Sequence, residues 1–113
     1  MKRSGPHEAF GLREDILARL RQVFARFDAI ETVVLFGSRA RGDERHRSDL
    51  DFCLRGEGLT SSDEAHIARC IDDLMLPWKV DLILDHRLQH QAMRDNIDRD
   101  GVIFYRREAP DRS

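Results

Sequence analysis

Phe36-Gly37-Ser38 is followed, after a ten-residue gap, by Asp49-Leu50-Asp51, and a third acid, Asp81, sits near the head of the apolar run Val80-Asp81-Leu82-Ile83-Leu84. Gly37 carries no Cβ, so a phosphate can approach its backbone closely. Free N–H groups after Ser38, at the start of a short helix, suit an anion. The Ser38 hydroxyl can donate to a phosphate oxygen, and Arg39 and Arg41 can add charge-assisted bonds to the same group. Ser48, beside the first acid, is a further phosphate donor candidate, although a local turn bond explains it equally well. Three gathered carboxylates repel one another and stay ionised together only beside cations, which points to Mg²⁺ at Asp49, Asp51 and Asp81. Two such ions about 3.5–4 Å apart can bridge the attacking and leaving oxygens of an in-line displacement. A phosphate cradle joined to three acids is equipment for moving a nucleotide from its triphosphate onto a hydroxyl. It is not a Walker P-loop, because no Gly-Lys-Ser/Thr follows the glycine.

The elements that must position these residues follow from hydrophobic periodicity. Leu12, Ile16, Leu20, Val23, Phe24 and Phe27 recur at helical spacing, with Arg13, Glu14, Arg19, Arg21 and Arg26 on the other face, which predicts an amphipathic helix from residue 8 or 12 to 27. Residues 31–36 are β-branched and apolar, and read as a largely buried strand. Ser38 is placed to cap a short helix over 39–41 that Gly42 stops. Leu50, Phe52 and Leu54 alternate with Asp49, Asp51 and Cys53, the period of a strand. Ser61 and Glu64 have capping-box spacing and open a second helix, ended by Pro77. Val80–Leu84 is a third strand, 88–98 a third helix with Gly101 beyond it, and 102–105 a short final edge strand.

For the Gly-Ser pair, which ends its strand, to meet the Asp pair, which begins the next, those two strands must run antiparallel. Asp81 also opens its strand, so the third must lie parallel to the second, reached by a right-handed helical crossover. The expected fold is α+β: a small mixed β-sheet with helices packed on one face. Asp49 and Asp51 then point to one face, about 6.6 Å apart along the strand, and Asp81 shares its face with Ile83.

At 113 residues the chain is expected to be one domain, with 1–7 and 107–113 as loose tails. Its 41% hydrophobic and 35% charged residues suit a soluble globular protein rather than a disordered one. No apolar stretch approaches the roughly 20 residues of a membrane span, and no signal-type segment follows the basic N-terminus, so a cytoplasmic protein is expected. Cys53 and Cys70 lack CxxC spacing and are read as reduced, partly buried thiols. A net charge of −2 and the lack of an aromatic stacking platform argue against direct nucleic-acid binding. Arg45 and Arg47, beside Asp43 and Glu44, fit a solvated loop. The five histidines show no ligand spacing. Trp78 is read as a plug at the sheet edge after Pro77 in preference to an interface anchor.

On these motifs the sequence resembles the DNA polymerase β-type nucleotidyltransferase superfamily and, within it, the minimal nucleotidyltransferases (MNT proteins). The likeness rests on Gly37-Ser38, the ten-residue gap, Asp49-x-Asp51 and Asp81, and spans residues 31–84. It implies a nucleotidyltransferase fold that binds two Mg²⁺ ions and ATP. Asp49 and Asp51 would be metal ligands, Asp81 a ligand and general base, and Gly37 and Ser38 holders of the phosphates. Leu76-Pro77-Trp78-Lys79-Val80-Asp81 also resembles small bacterial members that pair with a separate helical protein, either a HEPN-type toxin or a similar nucleotidyltransferase substrate-binding bundle. In the toxin–antitoxin pairs the MNT member is the antitoxin and transfers AMP from ATP to a tyrosine of the toxin. The mostly helical second domain of larger relatives has no counterpart in these residues, so an external acceptor partner, and hence a hetero-oligomer, is expected. Two other functions stay open: a non-catalytic antitoxin acting by complex formation, and a small-molecule or RNA nucleotidyltransferase.

Overall fold

Leu17, Leu20, Val23 and Phe24 recur at helical spacing, and in the computed structural model of the protein they bury one face of helix α1 (Glu14–Ala25). The structure describes residues 8–9, 12–37 and 49–107. Ser38, Arg39, Arg41, Arg45, Arg47 and Ser48, the short helix expected over 39–41 and the loop around 43–48 lie outside the described residues. Helix α1 begins later than its periodicity predicts. Leu12 keeps the apolar spacing and is fully buried, but it belongs to a two-residue strand β2 (Leu12–Arg13) paired antiparallel with β1 (Glu8–Ala9). Glu14 and Asp15 then occupy the first turn, where the helix dipole favours negative charge.

Among the described residues, strands β3 (Thr32–Phe36), β4 (Leu50–Arg55), β5 (Val80–Leu84) and β6 (Val102–Arg106) form one mixed sheet in the order β5-β4-β3-β6. β3 is antiparallel to both β4 and β6, while β4 and β5 are parallel and joined through helix α2 (Ser61–Asp72). This is the arrangement that convergence of the acidic and glycine motifs demanded. β6 is an edge strand, as expected, with Val102 and Ile103 exposed.

The expectation of helices on one face holds for α1 and α2 and fails for helix α3 (Gln91–Asp100). Val33, Leu35, Leu50, Phe52, Leu54, Leu84 and, at its margin, Val80 and Leu82 pack with Ile67 and Ile71 of α2 and the α1 stripe. Val34, Phe36 and Cys53, of the opposite parity, pack instead with Ile97 of α3. β3 and β4 are therefore apolar on both sides, and each side needs a cover. Gly101 lets α3 dock: a Cβ there would stand 2.4 Å from the Ile97 carbonyl oxygen and 2.6 Å from Val34 Cγ1.

Three helix boundaries also differ from the periodic reading. The capping box of α2 is Thr60 with Asp63, one residue before Ser61 and Glu64, with bonds of 3.1 Å and 3.0 Å in the two directions. The same helix ends at Asp72, well before Pro77, and the chain turns through Met75 in the left-handed region (φ 57°). α3 starts at Gln91 rather than 88, because a 3₁₀ turn, Asp85–Arg87, comes first. Arg107, expected to open a loose tail, is tied down: its side chain donates to the carbonyls of Ile30 (3.0 Å) and Phe27 (2.7 Å). No helix among the described residues is long and apolar enough to cross a membrane.

Phe24 is the keystone of the larger core. Its ring meets Phe52 edge-on at 5.3 Å, Phe104 at 6.0 Å and Tyr105 at 6.2 Å, so α1, β4 and β6 converge on one side chain. Phe24→Ala is expected to lower stability by about 3–5 kcal/mol and Tm by at least about 12 °C. Thermal unfolding checks this, and a loss below about 4 °C would show that the core is not organised around that ring.

Candidate active site

The sheet brings one end of three strands together. Phe36 at the close of β3 faces Asp51, and Asp51 faces Asp81 across the parallel β4–β5 pair. Alternation puts Asp49, Asp51 and Asp81 on the face shared with Cys53 and Ile83, the α3 side, while Leu50, Val80 and Leu82 turn toward α1 and α2. The Leu50 N–H donates to the Lys79 carbonyl at 2.9 Å, so continuing the register by one residue sets Lys79 beside Asp49.

Two of the three acids meet closely. Burial pushes the Asp51 carboxyl above the ordinary carboxylate range, and the negative charges of Asp81 and then Asp49, with a hydrogen bond shared with Asp81, push it further. Lys79 opposes the shift; its Nζ lies 3.9 Å from Asp81 Oδ1. Asp49 is exposed at the entry to β4 and adds charge rather than contact.

Gly37 closes the arrangement. Its φ of +85° is the left-handed conformation that side chains resist, and a Cβ would stand 2.6 Å from Asp51 Oδ2. Glycine is required both by the turn that ends β3 and by the acid packed against it. Ser38, Arg39, Arg41 and Ser48, the remaining phosphate candidates, lie outside the described residues.

No group of three or more His, Cys, Asp or Glu side chains among the described residues is close enough to hold a metal ion. Mg²⁺ does not ask for such a cage: it is commonly held by one or two carboxylates, with waters and substrate phosphates completing the octahedron. A half-buried carboxylate pair, with Asp51 raised by burial and then by the neighbouring acids and placed against a glycine turn, fits a hard divalent cation.

Sequence reasoning did not assign Lys79 a role, although its period-two spacing from Asp81 signals a shared face. It also passed over Asp85, which accepts from Arg94 at 3.3 Å, pairs with Arg55 at 3.6 Å and lies 3.5 Å from Cys53 Sγ. This hub ties α3 to the site's face of the sheet. Burial, then the Asp85 charge, pushes the Cys53 thiol up to about 12, and both cysteines are free. Two open cavities of about 440 and 280 Å³ flank β5. The larger, lined by Leu82, Leu84 and Leu88, is away from the acids, whereas the smaller, between α2 and β5, includes Asp81.

Because the folded state raises the Asp51 pKa, ionising Asp51 lowers stability. The penalty is absent at pH values below the ordinary 3.8, grows as pH rises from there to the raised value, and is complete above it. Asp51→Asn is therefore expected to melt higher than the wild type at pH 7 in EDTA, at about 4 °C or more per kcal/mol recovered for a domain of this size. The difference should close at pH values below the ordinary carboxylate range. A variant less stable than wild type at pH 7 in EDTA would contradict the repulsion.

The model of the family described as "Polymerase beta, Nucleotidyltransferase" matches residues 18–109. No curated protein sequence matches the chain. Among solved structures, one assigned as a minimal nucleotidyltransferase is 29% identical, with a TM-score of 0.62 over 87% of this chain and 98% of that one. A toxin–antitoxin complex with AMP-PNP matches at 18% identity and TM-score 0.62, over 84% of this chain and 74% of that one. A complex of a tri-AMPylated HEPN toxin from Shewanella oneidensis with an MNT antitoxin matches at 14% identity and TM-score 0.62, over 83% and 72%. These last two likenesses are of fold. With the mixed sheet, helices α1, α2 and α3 and a family match that covers most of the sequence, the chain belongs to the polymerase β nucleotidyltransferase family.

Proposed function

We propose that this protein transfers AMP from ATP to a hydroxyl, most readily a tyrosine, of a cognate helical HEPN-type partner, and so acts as the antitoxin of a toxin–antitoxin pair in the cytoplasm. The observation that carries the proposal is the Asp51–Asp81 pair set across the β4–β5 register and against Gly37. Likeness in fold to the antitoxin of a tri-AMPylated HEPN toxin complex supports the choice of acceptor, and likeness to a complex holding AMP-PNP supports ATP.

Asp51 and Asp81 would hold Mg²⁺, with Asp49 at the rim of the same face as a further ligand. When bound, the metal would supply neutralising charge for the phosphates and for the attacking and departing oxygens. Gly37 keeps the end of β3 open so that phosphate can lie against backbone. Ser38, Arg39, Arg41 and Ser48 follow it in sequence and are the donors assigned to the triphosphate. In the transfer, the acceptor oxygen bonds to the α-phosphorus, the bond from that phosphorus to the bridging oxygen of the β-phosphate breaks, and pyrophosphate leaves. The hydroxyl proton passes to Asp81. The partner supplies the acceptor surface and completes a hetero-oligomer.

Incubating the protein with Mg²⁺, ATP and the cognate partner is expected to yield partner carrying covalent AMP, read by intact-mass spectrometry. Asp51→Ala and Asp81→Ala should each slow transfer by at least about 100-fold, and EDTA should abolish it. Full transfer by either variant would remove the acids from the mechanism. Neutralisation of the partner by an Asp49→Ala/Asp51→Ala double variant as well as by wild type would favour a binding-only antitoxin.

A further inference from the structure

Lys79 immediately precedes β5 and stands two residues before Asp81, and its side chain meets the face that carries Asp51 of β4 and Asp49 just ahead of that strand. Four ionisable groups thus form a rectangle: Asp51 in β4 with Asp49 just before the strand, and Asp81 in β5 with Lys79 just before it, the strands about 4.8 Å apart. Lys79 holds the fourth corner. Its backbone is fixed there by the bond from the Leu50 N–H at 2.9 Å and by half-buried Trp78, which packs against the larger core immediately before it. Its ammonium reaches Asp81 Oδ1 at 3.9 Å while remaining 71% exposed, a loose ion pair that can be displaced.

We infer that Lys79 is a built-in counter-ion that competes with the divalent cation for Asp81, keeping the nucleotide-free acid pair weak for metal until a triphosphate arrives. The inference rests on the metal and nucleotide roles proposed above. A bare carboxylate pair would attract divalent cations without nucleotide. With Lys79 at its corner, a cation entering between Asp51 and Asp81 must displace or approach an ammonium of like sign. A triphosphate reverses this, because its negative charge draws the ammonium away from Asp81 and its oxygens complete the cation's coordination. Metal and nucleotide therefore load together.

The test is a Mn²⁺ titration of the full chain, with bound ion counted by electron paramagnetic resonance, with and without a non-hydrolysable ATP analogue. Without nucleotide, Lys79→Met is expected to bind Mn²⁺ about two- to fivefold more tightly than wild type. Lys79→Arg, which keeps the charge, should stay near wild type. Arg106→Met, at the far end of β6 from Asp51, should change nothing. The gain should shrink in high salt, since the pair is exposed, and with the analogue the wild type should approach Lys79→Met. Equal or weaker binding by Lys79→Met, or an equal gain in Arg106→Met, would overturn the inference while leaving the acid site standing. Absence of Mn²⁺ binding by every protein, with the analogue present, would overturn both.

Discussion

Two carboxylates held side by side by backbone hydrogen bonds are the constraint around which this molecule is arranged. The parallel register of β4 and β5 sets Asp51 opposite Asp81, and neither strand can slip by one residue without turning its apolar residues out of the core. Hydrophobic burial on the α1–α2 side therefore enforces electrostatic repulsion on the α3 side. Its own burial first, and then that repulsion, raises the affinity of Asp51 for a proton. A site that stabilises the fold less than neutral side chains would is typical of places where function, not stability, sets residue identity.

The rest of the fold can be followed outward from that pair. α2 supplies the crossover that parallel strands require, and its Thr60–Asp63 box fixes where the crossover starts. Phe24 locks α1 to β4 and β6. On the other side, Gly101 and the Asp85 hub hold α3 against β3 and β4, covering Val34, Phe36 and Cys53 beside the acids. Gly37 joins the two functional halves, since its missing Cβ serves both a left-handed turn and contact with Asp51.

Much of this was legible in the sequence, because strands and site share one pattern. Period-two alternation at 50–54 and the apolar run at 80–84 named the strands, and the alternating geometry of a strand put each acid on the face away from Leu50 and Leu82. The need for the glycine and acid motifs to meet then set strand directions. Boundaries were less legible where several residues fit one rule. Thr60 and Ser61 both precede an acid by three positions, and only the backbone decides which one caps. Leu12 continues a helical stripe yet is buried from a strand, because burial records distance to the core and not backbone conformation. α3 departs from the one-face expectation because a continuous apolar run marks burial without showing that its two parities, Val33 and Leu35 against Val34 and Phe36, need separate covers. Lys79 was missed because a single lysine has no motif; its meaning comes from the neighbouring strand.

The role proposed for the Asp51–Asp81 pair is to hold a divalent cation against a nucleotide's phosphates. Anomalous diffraction from crystals grown with Mn²⁺ and a non-hydrolysable ATP analogue tests it most directly. A manganese peak is expected between the carboxylates of Asp51 and Asp81, with the phosphates lying against Gly37. Manganese and nucleotide bound elsewhere, with those two carboxylates bare, would contradict it.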